Sequence, residues 1–222
     1  MEKPTSNLEQ IGARVRSNLA AKHAAREKAL QLTRDVIFHC ATAIRAVHRG
    51  EYEKARGLLK SARALLEELN NVLAEHGDLF HSGFVYNAQK EYAEATTTLA
   101  LICGQPVPDP DELGVAYPAY LNGLGEAVGE LRRYLLDTLR RGGEEDYERL
   151  FGVMDDIYSL LVTIDFPDAL TTGLRRTTDV TRGVLEKTRG DVTMFLKQKE
   201  LGDRLSQLLD DYGKAAEQGG SR

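Results

Sequence analysis

No run of apolar residues in this sequence approaches the roughly 18 that a membrane span requires, so no membrane partner is expected. The opening stretch Met1-Glu2-Lys3-Pro4-Thr5-Ser6 carries no apolar core of the kind a secretory signal needs. Cysteine is scarce. Cys40 and Cys103 lie far apart in helical patterns and form no Cys-x-x-Cys pair, so both read as reduced core residues of a cytoplasmic protein. Zinc is not expected, because His39-Cys40 is adjacent rather than ligand-spaced and His23, His48, His76 and His81 are scattered. There is no P-loop, Gly-x-Gly-x-x-Gly, Gly-x-Ser-x-Gly or His-Glu-x-x-His pattern, and no Glu-x-x-His to build a di-iron bundle. Sustained β-branched alternation is missing as well, which leaves no candidate strand.

What remains is helical periodicity. A first helix is expected from about Ser6 to His48, with Ile11, Val15, Leu19, Leu30, Val36, Ile37, Ile44 and Val47 near a 3.6 period, closed by Arg49-Gly50. A leucine-rich second helix follows from Tyr52 to about Glu75, and a third from about Leu79 to Ile102. Gly104-Gln105-Pro106-Val107-Pro108-Asp109-Pro110 is the strongest breaker. Further helices are expected over Tyr117–Arg140 and Glu144–Ile164, and one or two over Ala169–Tyr212 with a break near Gly190. The fold class is therefore all-α: a single domain over residues 1–217, a bundle of about seven helices, with a disordered tail at 218–222.

The net charge of −5 conceals an asymmetry. Residues 1–63 hold 13 Lys/Arg against 6 Asp/Glu, a balance of +7, while the rest hold 16 against 28, a balance of −12. A basic first third suits a phosphate-binding surface; it also suits a solvated face paired with acidic helices elsewhere. Two carboxylate pairs stand out, Glu91 with Glu94 and Glu126 with Glu130, each at helical spacing and each on one side of its helix. If a hairpin brings the pairs together, the acids repel one another unless a cation lies among them. With Ala88 as the centre of the third helix's apolar face, Glu91 falls about 60° off centre and Glu94 about 120° off. On the Tyr117–Arg140 helix the apolar stripe is Leu121, Leu124, Val128, Leu131 and Leu135, and Glu126, about 160° away, reads as a solvated residue. Gly123, Gly125 and Gly129 each cost that helix about 1 kcal/mol relative to Ala, which close approach of another helix or of a ligand backbone would justify. Phe84 and Tyr92 read as core aromatics, and Tyr86 as an aromatic that could stack an unpaired base.

Four stretches carry a family resemblance. They are Lys22-His23-Ala24-Ala25-Arg26-Glu27-Lys28 through Val47-His48-Arg49-Gly50; Gln89-Lys90-Glu91-Tyr92-Ala93-Glu94-Ala95; Tyr120-Leu121-Asn122-Gly123-Leu124 with Glu126 to Leu131; and Asp155-Asp156-Ile157-Tyr158. In order and spacing the chain resembles the translin superfamily, and most of all its nuclease-competent branch, translin-associated factor X. The resemblance covers roughly residues 20–200. It implies an all-α fold, assembly as a homo-octamer or as a hetero-oligomer with a paralogue, RNA or single-stranded DNA as partner, and a Mg²⁺- or Mn²⁺-dependent endoribonuclease site facing an internal cavity.

Carried onto this sequence, Glu91 and Glu94 match the family's paired glutamates, and Glu130 the glutamate one turn beyond Glu126. Glu126 stands where the family has a catalytic aspartate, one methylene longer. On this reading Glu91, Glu94, Glu126 and Glu130 are both the catalytic and the metal-binding residues. Glu130 would be either a ligand or the base that orients the attacking water. Arg14, Arg16, Lys22, Arg26, Lys28, Arg34 and Lys90 are the candidate nucleic-acid contacts. Two other readings stay open: a shell that binds single-stranded nucleic acid without cutting it, and a helical oligomer that uses its basic helix for subunit contacts.

Overall fold

The computed structural model describes residues 5–143 and 146–219, the last six of these by backbone alone. Among the described residues the chain is all-α: α1 (Leu8–His48), α2 (Tyr52–Leu73), α3 (Gly77–Phe80), α4 (Gly83–Ile102), α5 (Pro110–Leu113), α6 (Tyr117–Arg140), α7 (Tyr147–Thr163), α8 (Asp168–Thr171) and α9 (Leu174–Gly219). No helix among them is long and apolar enough to cross a membrane.

Helices α1 and α2 form a hairpin around Gly50. Its φ of +75° lets the Gly50 N–H reach Val47 O and the Glu51 N–H reach Ala46 O, each at 2.9 Å, so the last carbonyls of α1 are satisfied. Ala55, Leu59, Ala62, Leu66, Leu69 and Leu73 then place the buried stripe of α2 against α1. The proline-rich segment after α4 ends in a strong start signal. Asp109 Oδ1 accepts from the N–H groups of Asp111 and Glu112, Pro110 opens α5, and Gly114 closes it at φ +68°. That turn returns the chain so that α6 runs back along α4.

Helix α6 is the centre of the bundle, packing against α4, α7 and α9. Its buried residues therefore extend well beyond one stripe and include Ala119, Asn122, Gly123, Gly125 and Ala127. Glycine permits two of the contacts. A Cβ on Gly123 would lie 2.8 Å from Lys90 O and 2.9 Å from Ala93 Cβ on α4. One on Gly125 would lie 2.3 Å from Thr177 Cγ2 on α9. Gly129 meets nothing within 4 Å, so the expected close approach holds for the first two glycines and not for the third.

The third expected helix is split. Ser82 is extended (φ −82°, ψ 154°), so α3 is a single turn before α4 starts. The break expected near Gly190 does not occur; the chain breaks earlier, at Thr172-Gly173, where both residues are left-handed. Arg132 of α6 explains the continuity: it donates to Thr188 Oγ1 at 3.0 Å and pairs with Asp191 at 2.6 Å, bracketing Gly190. These tertiary ties outweigh a glycine penalty of about 1 kcal/mol. Of the tail expected at 218–222, the first two residues belong to α9 and the rest lie outside the described residues, as does Glu144, the expected start of α7. Cys40 is fully buried as expected, whereas Cys103 is half-buried against the core beside Arg56.

The glycine contacts predict opposite outcomes for one substitution. Gly123→Ala should destabilise the fold by about 1–3 kcal/mol through overpacking of α4 on α6. Gly129→Ala should stabilise it by up to about 1 kcal/mol. Urea melts of the two variants check both signs.

Candidate metal centre

Helix α4 carries Lys90, Glu91 and Glu94, and the Gly123 contact holds it close enough to α6 for Glu126 to join them. One carboxylate oxygen from each of Glu91, Glu94 and Glu126 lies within 4.8 Å of the others, and all three residues are partly buried. Glu126, expected on a solvated face, instead looks into the groove between α4, α6 and α9, because α6 has neighbours on that side as well. Glu94, further from the apolar stripe than Glu91, is likewise enclosed where α4 meets α6.

The electrostatics follow from this crowding. Burial, then the charges of Glu91, Glu126 and Glu130, push the Glu94 carboxyl up to about 8, against the opposing pull of Lys90. The Lys90 ammonium donates to Glu126 Oε1 at 2.6 Å and Oε2 at 2.5 Å and lies 3.5 Å from Glu91 Oε1. Desolvation lowers Lys90, but the Glu126 hydrogen bond and the charges of Glu126, Glu91 and Glu94 together outweigh it and leave its pKa raised. Burial, with Glu91 and Glu94 adding, also pushes the Cys40 thiol up, so a neutral thiol underlies the acids. Three hard oxygen donors converging on one position suit Mg²⁺ or Mn²⁺, and the Lys90 ammonium lies against two of the three carboxylates.

Glu130 does not join the three. His48 Nε2, at the end of α1, donates to Glu130 Oε2 at 2.5 Å, and Arg133 lies 4.0 Å away. The His48 hydrogen bond holds the Glu130 carboxyl below its ordinary value, against desolvation. One sequence signal points toward these partners: Lys90 lies four residues before Glu94 and so shares its face. Nothing local singles out His48, which meets Glu130 from 82 positions away. The contribution of α9 had no such signal.

That contribution is a cavity of about 650 Å³ between α4, α6 and α9, walled by Lys90, Glu94, Glu126, Thr172, Arg176 and Thr177. Tyr86, the aromatic singled out for base stacking, also lines it. Buried Asn122 fixes the α9 wall: its Nδ2 donates to Thr171 O at 3.0 Å and to Pro118 O at 2.8 Å, and its Oδ1 accepts from Thr177 Oγ1 at 2.5 Å. Thr172 (φ 51°) and Gly173 (φ +81°) make the reversal that aims the start of α9 at this cavity. Tyr92 is buried and Phe84 is packed partly buried against the core, as the pattern indicated.

The basic candidates on α1 are mostly engaged elsewhere. Lys22 pairs with Asp78, Arg26 with Glu27 at 2.8 Å and Lys28 with Glu68 at 2.8 Å, while Arg34 donates to Gln31 at 2.8 Å. Arg14 and Arg16 stand exposed on the outer half of α1. Asp155 of α7 pairs with Arg189 of α9 at 3.7 Å.

Fold and site together define an all-α bundle with a carboxylate centre at the wall of an inter-helical cavity. No family model matches the chain. AfC3PO matches it at 35% identity and a TM-score of 0.78, over 84% of this chain and 97% of that one. The AfC3PO–duplex RNA complex matches at 35% identity and a TM-score of 0.76, over 84% and 96%. Apo-NeC3PO, at 19% identity, shares the fold with a TM-score of 0.70 over 88% and 99%. An uncharacterised protein of Methanocaldococcus jannaschii, MJ0175, is 30% identical over 192 residues, 86% of this chain and 85% of that one. The chain belongs to the translin superfamily.

The raised Glu94 carboxyl sets a pH dependence. Its contribution favours the folded chain below about pH 4.5, its ordinary value, and is lost as pH climbs through about 8. Metal-free stability should therefore fall across that window, and Glu94→Gln should flatten the decline. Urea melts in EDTA at pH values bracketing the window check this; parallel curves for both proteins would remove Glu94 as the group responsible.

Proposed function

We propose that this chain is a metal-dependent endoribonuclease of the translin type, acting on single-stranded or short RNA inside an oligomeric shell. The observation that carries the reading is the meeting of Glu91, Glu94 and Glu126, from two helices, with Glu94 and Glu126 lining a cavity wide enough for a phosphodiester. These three would hold the ion. Mg²⁺ or Mn²⁺, when bound, supplies charge neutralisation at the phosphate and lowers the pKa of a water. Glu130, tied to His48, acts from outside the ligand set and orients the attacking water. Lys90 and Arg176 offer cationic contacts to the phosphate on the same wall. Tyr86 offers an aromatic face. RNA as substrate class draws support from the duplex RNA bound by AfC3PO.

The shell draws support from two helix segments that the bundle leaves uncovered. Leu8, Ile11, Val15 and Leu19 on α1, and Leu201, Leu205, Leu208, Leu209 and Tyr212 on α9, are exposed at helical spacing. Copies of this chain, as an octamer, or a paralogous partner would cover them. A cytoplasmic location goes with this reading.

A second reading, binding without cleavage, draws on Glu126 in place of the family's aspartate and on its engagement by Lys90. One assay separates the two. Purified protein should cut short single-stranded RNA in Mn²⁺ or Mg²⁺ and stop in EDTA. Glu91→Gln and Glu126→Gln should each slow cleavage by about 100-fold or more while RNA retention in EDTA is kept. RNA held without cleavage in every divalent ion would select the binding reading instead.

A further inference from the structure

Lys90 stands apart from the other basic residues assigned to nucleic acid. Its side chain is 17% exposed, and its ammonium lies inside the acidic cluster rather than on a surface. Both oxygens of Glu126 are committed to it, and Glu91 Oε1 is 3.5 Å away. A divalent ion held by Glu126 together with Glu91 and Glu94 would sit about 2.0–2.1 Å from its oxygens, in the space this ammonium fills. Two cations so close, sharing one carboxylate, repel strongly in a partly desolvated site. Lysine and metal are therefore alternatives.

The surroundings show where the lysine goes when displaced. Lys90 lines the cavity between α4, α6 and α9 alongside Arg176, and no carboxylate is paired with Arg176 among the described residues. A flexible four-carbon stem lets its ammonium swing from Glu126 toward the cavity while its backbone stays fixed under Gly123. There it would face an anion together with Arg176.

We propose that Lys90 is a built-in counter-ion that holds the cation position of the metal-free centre. A divalent metal expels it, and the freed ammonium binds the phosphate of the nucleic acid. The inference rests on the metal reading above and adds to it a coupling. Metal frees the lysine for phosphate and phosphate draws the lysine off the acids, so each ligand tightens the other through one side chain.

Mn²⁺ titration of the full-length, metal-stripped chain tests this by calorimetry and by the spin resonance of free Mn²⁺. Lys90→Met should bind Mn²⁺ about tenfold or more tighter than wild type. Lys90→Arg, which keeps the charge, should stay near wild type. A short cleavage-resistant 2′-O-methyl oligonucleotide should tighten Mn²⁺ binding to wild type, and this gain should shrink in Lys90→Met. Circular dichroism establishes that the variants are folded, and Lys90→Gln replaces Lys90→Met if the latter is not. Equal Mn²⁺ affinity in wild type and the uncharged variant would overturn the exchange while leaving the metal centre standing. Absence of Mn²⁺ binding in every variant would overturn the centre itself.

Discussion

Helices α4 and α6 share a carboxylate centre because Gly123 has no side chain to keep them apart. With the Lys90 carbonyl and Ala93 Cβ so near where a Cβ on Gly123 would stand, the two backbones approach within a distance that any larger residue would widen. Everything acidic at the site depends on that approach. It brings Glu126 to Lys90 and Glu91, and it strips enough water from Glu94 to raise its carboxyl. Gly125 repeats the device against α9 and brings the third wall into place. A helix with glycines at such positions gives up intrinsic propensity for geometry, and tertiary packing on several sides restores what is lost.

The acids are not equivalent once the bundle forms. Glu91, Glu94 and Glu126 compete for one cation, whereas Glu130 has its own partner in His48. His48 also has a buried Nδ1 without a hydrogen-bond partner, so its ring is held through the Nε2 contact and by packing near Tyr134. The result is a graded set. Glu94 on α4 is pushed up by burial and by the acids around it, and Glu130 on α6 is pulled down by His48 from the end of α1. Such divergent environments let chemically identical side chains take different parts in a reaction.

Much of this was readable in the chain itself, and the pattern of what was not is physical. Helix identity followed from periodicity, and the α1–α2 and α4–α6 turns from Gly50 and the proline-rich segment. Glu91 at the edge of the apolar stripe was legible because a single helical wheel places it there. The wheel alone puts Glu126 on a solvated face because it assumes one buried face, and α6 also packs against α4, α7 and α9. Gly190 looked like a stop because local propensity knows nothing of Arg132 reaching across from α6 to residues on either side of it. The cavity wall on α9 depends on Asn122 bonding residues about fifty positions away, which no local rule registers.

Helix α9 is continuous over 46 residues, a rod of about 69 Å. Its first turns are pinned by Asn122 and form one side of the cavity; its last turns carry the uncovered leucines. No hinge interrupts the span. Whatever grips the distal end therefore sets the attitude of Arg176 and Thr177 at the proximal end, as a handle sets a blade.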